Sequence, residues 1–94
     1  MARKTYRLEV KRDARKELLD LPPKINRQVQ ETLDRLLNTL NQGRRPQDVA
    51  SLKGRDRSYR IDSGEYRVLF ELNDDEAFVV VFRVRHRRDA YRGL

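Results

Sequence analysis

Two short segments of this 94-residue chain concentrate side chains able to do chemistry. Tyr59 to Phe70 reads YRIDSGEYRVLF, and Arg83 to Tyr91 reads RVRHRRDAY. Both are rich in arginine, whose planar, permanently charged guanidinium donates paired hydrogen bonds and is suited to gripping phosphate. Several other chemistries lack their residues. His86 is the one histidine, so a two-histidine ribonuclease mechanism is impossible. There is no HExxH pair and no Gly-rich phosphate loop. Counting leaves Ser-His-Asp chemistry open, but no serine stands in the strand–turn–helix setting that exposes a nucleophile. Cysteine is absent, which excludes a disulfide framework and a thiolate metal site and fits a reducing cytoplasm.

The charge balance points the same way as the arginines. Twenty-two Lys and Arg stand against 15 Asp and Glu, a formal net charge of +7. Such a balance favours polyanionic partners, whether RNA, DNA or an acidic protein, and does not choose among them. The chain is long enough for one domain with one modest core, so residues 1–94 are read as a single unit. Its hydrophobic fraction of 37% is low for a self-sufficient globule, which is compatible with a partner covering part of its surface. No apolar run approaches the roughly 20 residues that span a bilayer. The opening Met-Ala-Arg-Lys-Thr-Tyr has no apolar signal region behind its basic residues, so a membrane or secreted protein is not expected.

The arginines need elements to position them. Tyr6, Leu8 and Val10 alternate with polar neighbours and predict a first strand. From Asp13 the period changes: Ala14, Leu18 and Leu21 follow one helix face, with Asp13 suited to the helix start and Pro22-Pro23 to its end. A second helix begins near Pro23 with the stripe Ile25, Val29, Leu33, Leu36, Leu37 and Leu40, read as core, and Gly43 as its stop. Gln42 to Ala50 reads as a loop. Ser58 to Ser63 is a strand, Ser63-Gly64-Glu65 a tight turn, and Tyr66 to Leu72 a strand in which Val68, Phe70 and Leu72 alternate with Arg67, Leu69 and Glu71. Asn73 to Glu76 is a second turn, and Ala77 to Arg85, the most apolar strand, reads as central.

This order, β-α-α-β-β-β, predicts an α+β fold: a two-helix hairpin packed on one face of a small, mainly antiparallel, four-stranded sheet, with the first strand paired to the last. The helices cover the apolar face. Alternation gathers Arg60, Asp62 and Arg67 on the other face, with Arg83 and Arg85 as further candidates, so scattered arginines become one surface.

With Leu52-Lys53-Gly54 ahead of YRI, GEYRVLFEL and HRRDAY, in this order and spacing, the chain resembles the RelE/ParE superfamily of toxins, RelE-type, over nearly its whole length. The resemblance implies the RelE-like microbial RNase fold and a metal-independent, cofactor-free endoribonuclease. Such an enzyme enters the ribosomal A site and cuts mRNA by attack of the substrate's own 2′-hydroxyl on the adjacent phosphate. It also implies residue roles. Arg60 matches a basic residue set against the substrate backbone, Arg67 the arginine that stabilises the transition state, and Arg87 the arginine that assists the leaving group. Tyr91 matches a tyrosine that orients the RNA, where stacking on a base contributes ~1–3 kcal/mol. Lys53, Arg83, Arg85 and His86 read as RNA or ribosome contacts, and His86 is also the fallback acid.

The chain departs from the pattern at Asp62, where some active members carry a second lysine proposed as the base. A carboxylate can accept a proton, but Asp62 is read first as a counter-ion for Arg60 or Arg67. Two other functions share the fold: inhibition of DNA gyrase, as in ParE-type relatives, and ribosome or RNA binding without efficient cutting. The resemblance further implies a cognate RelB-like antitoxin, acidic over its toxin-binding segment, and contact with operator DNA only through the antitoxin complex.

Overall fold

A computed structural model describes residues 5–93; the four opening residues inspected above for a signal segment lie outside them, as does Leu94. Strand β1 (Arg7–Val10) leads into helix α1 (Arg12–Asp20) and helix α2 (Pro23–Asn41). Strands β2 (Ala50–Ser51), β3 (Ser58–Ser63), β4 (Tyr66–Asn73) and β5 (Phe78–His86) follow. The sheet order is β1-β5-β4-β3-β2, with β1 parallel to β5 and all other pairs antiparallel. The expected pairing of first and last strands is therefore present, and β5 is central. One expectation needs correcting: the sheet has five strands, because Ala50–Ser51 pairs with Tyr59 and Arg60. Two residues are too few to display a period of two, and the loop expected over Gln42 to Ala50 ends inside this strand.

The proline and glycine helix signals act as expected, while Asp13 lies in the first turn of α1, which begins at Arg12 without a side-chain cap hydrogen bond. Pro23 occupies the first turn of α2, where its missing N–H costs nothing. The Asn26 side-chain amide donates to the Leu18 carbonyl (2.8 Å), closing the end of α1 onto the start of α2. Gly43 takes φ +80° and donates its N–H to Leu40 O, which ends α2. Ala14 and Leu18 of α1 and Val29, Leu33, Leu36 and Leu40 of α2 pack with Ile61, Val68, Phe70, Leu72, Val79, Val81 and Val84 into one core. Gly64 in the β3–β4 turn has φ +59°, a left-handed conformation that favours glycine there.

The sheet face away from the helices is not uniformly charged. Leu69, Val80 and Phe82 are buried there, outside the main core, with the Arg55 guanidinium 4.2 Å from the Phe82 ring centroid. A bulge in β5 explains which residues reach this face. Leu69 pairs with Arg83 but Phe70 pairs with Val81, so Phe82 is an extra residue. Val79 and Val81 point into the core before the bulge, and Val84 after it. Without the extra residue Arg83 and Arg85 would follow Val81 towards the helices; with it they join Arg67.

At the opposite end of the sheet, the Tyr6 hydroxyl donates to Asp74 Oδ1 (2.7 Å) and Arg45 reaches Asp74 Oδ2 (3.1 Å). Burial and the Asp74 carboxylate push the Tyr6 phenol up from 10.0 to about 12. The native state thus holds this proton more tightly than the unfolded chain does. The stabilisation is complete below pH ~10 and disappears as pH rises towards 12. Tyr6→Phe is expected to lower stability by ~1 kcal/mol at neutral pH. Urea titrations at pH 8 and pH 11 check this: the gap between wild type and variant should narrow at the higher pH.

Candidate functional site

The open face is organised as cross-strand rows. Asp62 of β3, Arg67 of β4 and Arg85 of β5 stand in register, and Arg60, Leu69 and Arg83 form the next row. Directly opposed residues on one face lie within side-chain reach, so the register alone brings these charges together. Asp62 Oδ1 accepts from Arg60 Nη1 (3.1 Å) and sits 3.2 Å from Arg67 Nε. Asp62 is therefore neutralised from both sides. The Arg67 Nε is buried and makes no hydrogen bond, since Asp62 lies off its N–H direction.

Beyond β5 the chain folds back across this face. Arg67 Nη1 donates to the Tyr91 hydroxyl (3.0 Å), and its guanidinium carbon lies 5.4 Å from the Tyr91 ring centroid. Arg83 and Arg85 both donate to the Arg92 carbonyl (3.4 and 3.3 Å), and Ala90 is fully buried. The Arg83 Nε is buried without a partner. Tyr91 itself remains 44% exposed, which leaves ring area for stacking.

Arg87 enters from the end of β5. Its backbone N–H donates to Glu65 O (2.8 Å), and its Nε lies 3.2 Å from Glu65 Oε2. Both side chains are largely exposed, so this pair is weak and leaves the Arg87 guanidinium free to turn. His86 stands edge-on to Tyr66 with ring centroids 5.5 Å apart, and its Nδ1 accepts from the Arg88 N–H (3.2 Å).

These positions define two hollows. Glu65, Arg67, His86, Arg87 and Arg88 line one of about 410 Å³. Ser51, Leu52, Lys53, Gly54, Arg55 and Tyr91 line another of about 620 Å³. The Arg67–Tyr91 hydrogen bond joins the two. The structure thus brings together Arg60, Asp62, Arg67, Arg87 and Tyr91, with His86 at the rim of the first hollow and Lys53 in the second. Arg83 and Arg85 share the face, but their guanidinium groups are engaged by the tail. The residues lining the two hollows that sequence reasoning does not single out are Glu65, Arg88 and Arg55; Glu65 reads only as a turn residue. Among the described residues no three His, Cys, Asp or Glu side chains group as a metal-ligand set. No helix among them is long and apolar enough to cross a membrane.

An arrangement of this kind can hold a polyanionic backbone: arginines supply paired donors, one carboxylate limits their mutual repulsion, and an exposed ring offers a stacking surface. Comparison with known proteins identifies the family rather than the ligand. A family model described as the ParE toxin of the type II toxin–antitoxin system parDE matches residues 8–91. A curated Methanocaldococcus jannaschii protein bearing the name RelE1 is 29% identical over 90 residues, covering 93% of this chain and 96% of that one. The archaeal RelE–RelB complex of Pyrococcus horikoshii OT3 superposes with a TM-score of 0.74 at 27% identity, covering 93% of this chain and all of that one. The toxin–antitoxin complex RelBE2 of Mycobacterium tuberculosis gives a TM-score of 0.72 at 28% identity, covering 89% of this chain and 100% of the other.

Proposed function

This chain belongs to the ParE/RelE family of type II toxins, and from that premise we propose that it is a ribosome-dependent endonuclease that cuts mRNA in the A site. The observation that carries the reading is the convergence of Arg67 and Arg87 on one hollow, with Tyr91 bonded to Arg67. In the reaction the 2′-oxygen bonds to phosphorus as its proton passes to water, the bond from phosphorus to the 5′-oxygen breaks, and the departing 5′-oxygen takes a proton from water. The products are a 2′,3′-cyclic phosphate and a 5′-hydroxyl end. Arg67 stabilises the doubly negative phosphorane, and Arg87 offsets the charge growing on the 5′-oxygen. Arg60 holds the neighbouring backbone and Tyr91 stacks on a base. Lys53, Arg83, Arg85 and His86 extend the RNA-facing surface. The chain works in the cytoplasm, where its ribosomal substrate is found. An acidic RelB-like antitoxin restrains it, and operator DNA is reached through that complex.

Asp62 acts as a counter-ion in this scheme. Its Oδ1 already accepts from Arg60 and lies 3.2 Å from the Arg67 Nε, so that oxygen is committed to guanidinium groups rather than to a substrate hydroxyl. Asp62→Asn is expected to tighten ribosome binding a few-fold and to change the cleavage rate by less than ~3-fold, whereas loss of a general base costs ~10²-fold or more. Primer extension on programmed ribosomes measures both variant and wild type. Intact mRNA at an excess of wild-type protein over ribosomes would overturn the proposed activity itself. The family description supports a second reading, gyrase inhibition of the ParE type. A supercoiling assay separates the two: loss of supercoiling with mRNA untouched favours the second.

A further inference from the structure

Strand β1 covers the outer edge of β5 only as far as Val81. From there α1 takes over, and a single carboxylate replaces the missing strand. Glu17 Oε1 accepts the Val84 backbone N–H (2.9 Å), and Glu17 Oε2 accepts the Arg85 Nε–H. Arg85 continues the connection, donating through Nη1 to the Arg92 carbonyl, which also accepts a longer bond from Arg83 Nη1. Residue 92 adjoins Tyr91, whose hydroxyl accepts from Arg67. One chain of charge-assisted hydrogen bonds thus runs from a helix on the sheet's edge, through β5 just beyond its bulge, to the tail that carries the stacking tyrosine. Glu17 is largely buried, with a side-chain exposure of 19%, and Arg85 is at 34%, so solvent competes weakly for this link.

We infer that Glu17 is a positioning residue that fixes the tail through Arg85 and so sets Tyr91 against Arg67. The catalytic consequence rests on the nuclease reading above; the mechanical one does not. Glutamine separates Glu17's two tasks. Its amide oxygen still accepts from Val84, but its NH₂ meets the Arg85 donor, so the edge of β5 stays capped while the tail link breaks. Arg85→Gln breaks the link from the other side and leaves the Val84 bond in place.

Heteronuclear NOEs of the amides of residues 88–93 in the full chain report tail order, and single-turnover cleavage on programmed ribosomes reports chemistry. For Glu17→Gln the tail NOEs should fall clearly below those of the sheet, while sheet amides outside the Val84 region keep their shifts. Cleavage should slow by ~10- to 100-fold with ribosome affinity changed by less than ~3-fold, the signature of misplacement rather than lost binding. The double variant Glu17→Gln/Arg85→Gln should be no worse than Arg85→Gln alone, because both act on one link. Glu31→Gln, an equal charge change on the exposed side of α2, should behave as wild type. A tail as rigid in Glu17→Gln as in wild type overturns the inference, as does a strictly additive double variant or a cleavage defect equal to the loss of binding. If the wild type cuts nothing, the nuclease reading fails while the NOE comparison still decides what Glu17 does.

Discussion

Replacing Arg67 with alanine is expected to slow single-turnover mRNA cleavage by ~10³-fold without unfolding the protein. The size follows from its place. Its side chain is 23% exposed, set between Asp62 and Arg85 in one cross-strand row and tied to Tyr91. A preorganised donor aimed at developing charge is worth ~10²–10³ when removed from a sheltered site, and here the loss also releases Tyr91. The cost in stability is small by comparison. Asp62 is 46% exposed and keeps Arg60, so no buried charge is orphaned, and the change should stay within ~1 kcal/mol. Arg67→Lys keeps the charge and loses the fork, and should fall between, near ~10²-fold. Rates on programmed ribosomes, with thermal unfolding alongside, check both variants. Cleavage by Arg67→Ala within ~10-fold of wild type would mean that the phosphorus centre lies elsewhere.

How the sequence foreshadows this site depends on the range of each interaction. The α2 stripe from Ile25 to Leu40 is a local 3.6-residue pattern; four of its six members, Val29, Leu33, Leu36 and Leu40, are buried, and Ile25 and Leu37 are partly so. The row Asp62–Arg67 follows from a two-residue turn between two alternating strands, so its register was readable. The face of Arg83 and Arg85 was not. Val80 and Phe82 are buried on the side away from the helices, so the run from Phe78 to Phe82 has no polar partner in its alternation, and the phase after it depends on one unpaired residue. Glu17 was invisible for a different reason. Its partners stand 67 and 68 positions along the chain, and nothing in a nine-residue helix says that one carboxylate finishes a strand edge. The return of the tail is similar: Ala90 and Tyr91 were read as a motif by resemblance, while their contact with Arg67 needed the folded sheet.

Arg87 and Arg67 serve different moments of the same reaction, and this gives the second large effect its test. Arg87→Ala is expected to slow cleavage of ordinary mRNA by ~10²-fold, because charge builds on the departing 5′-oxygen without the cation assigned to it. A guanidinium stays protonated throughout, so its help is electrostatic, and it matters in proportion to how poor the leaving group is. Sulfur in place of the bridging 5′-oxygen departs as a thiolate and needs little assistance. With that substrate Arg87→Ala should cut within a few-fold of wild type, whereas Arg67→Ala should remain strongly impaired, since the phosphorane carries its charge on oxygens that the substitution leaves unchanged. The exposed Glu65 pairing predicts the same separation in stability: breaking it in Arg87→Ala should move unfolding by well under ~1 kcal/mol. If the sulfur substrate fails to rescue Arg87→Ala, Arg87 binds RNA without touching the leaving oxygen, and the hollow it shares with Arg67 is a grip on the backbone rather than a reaction centre.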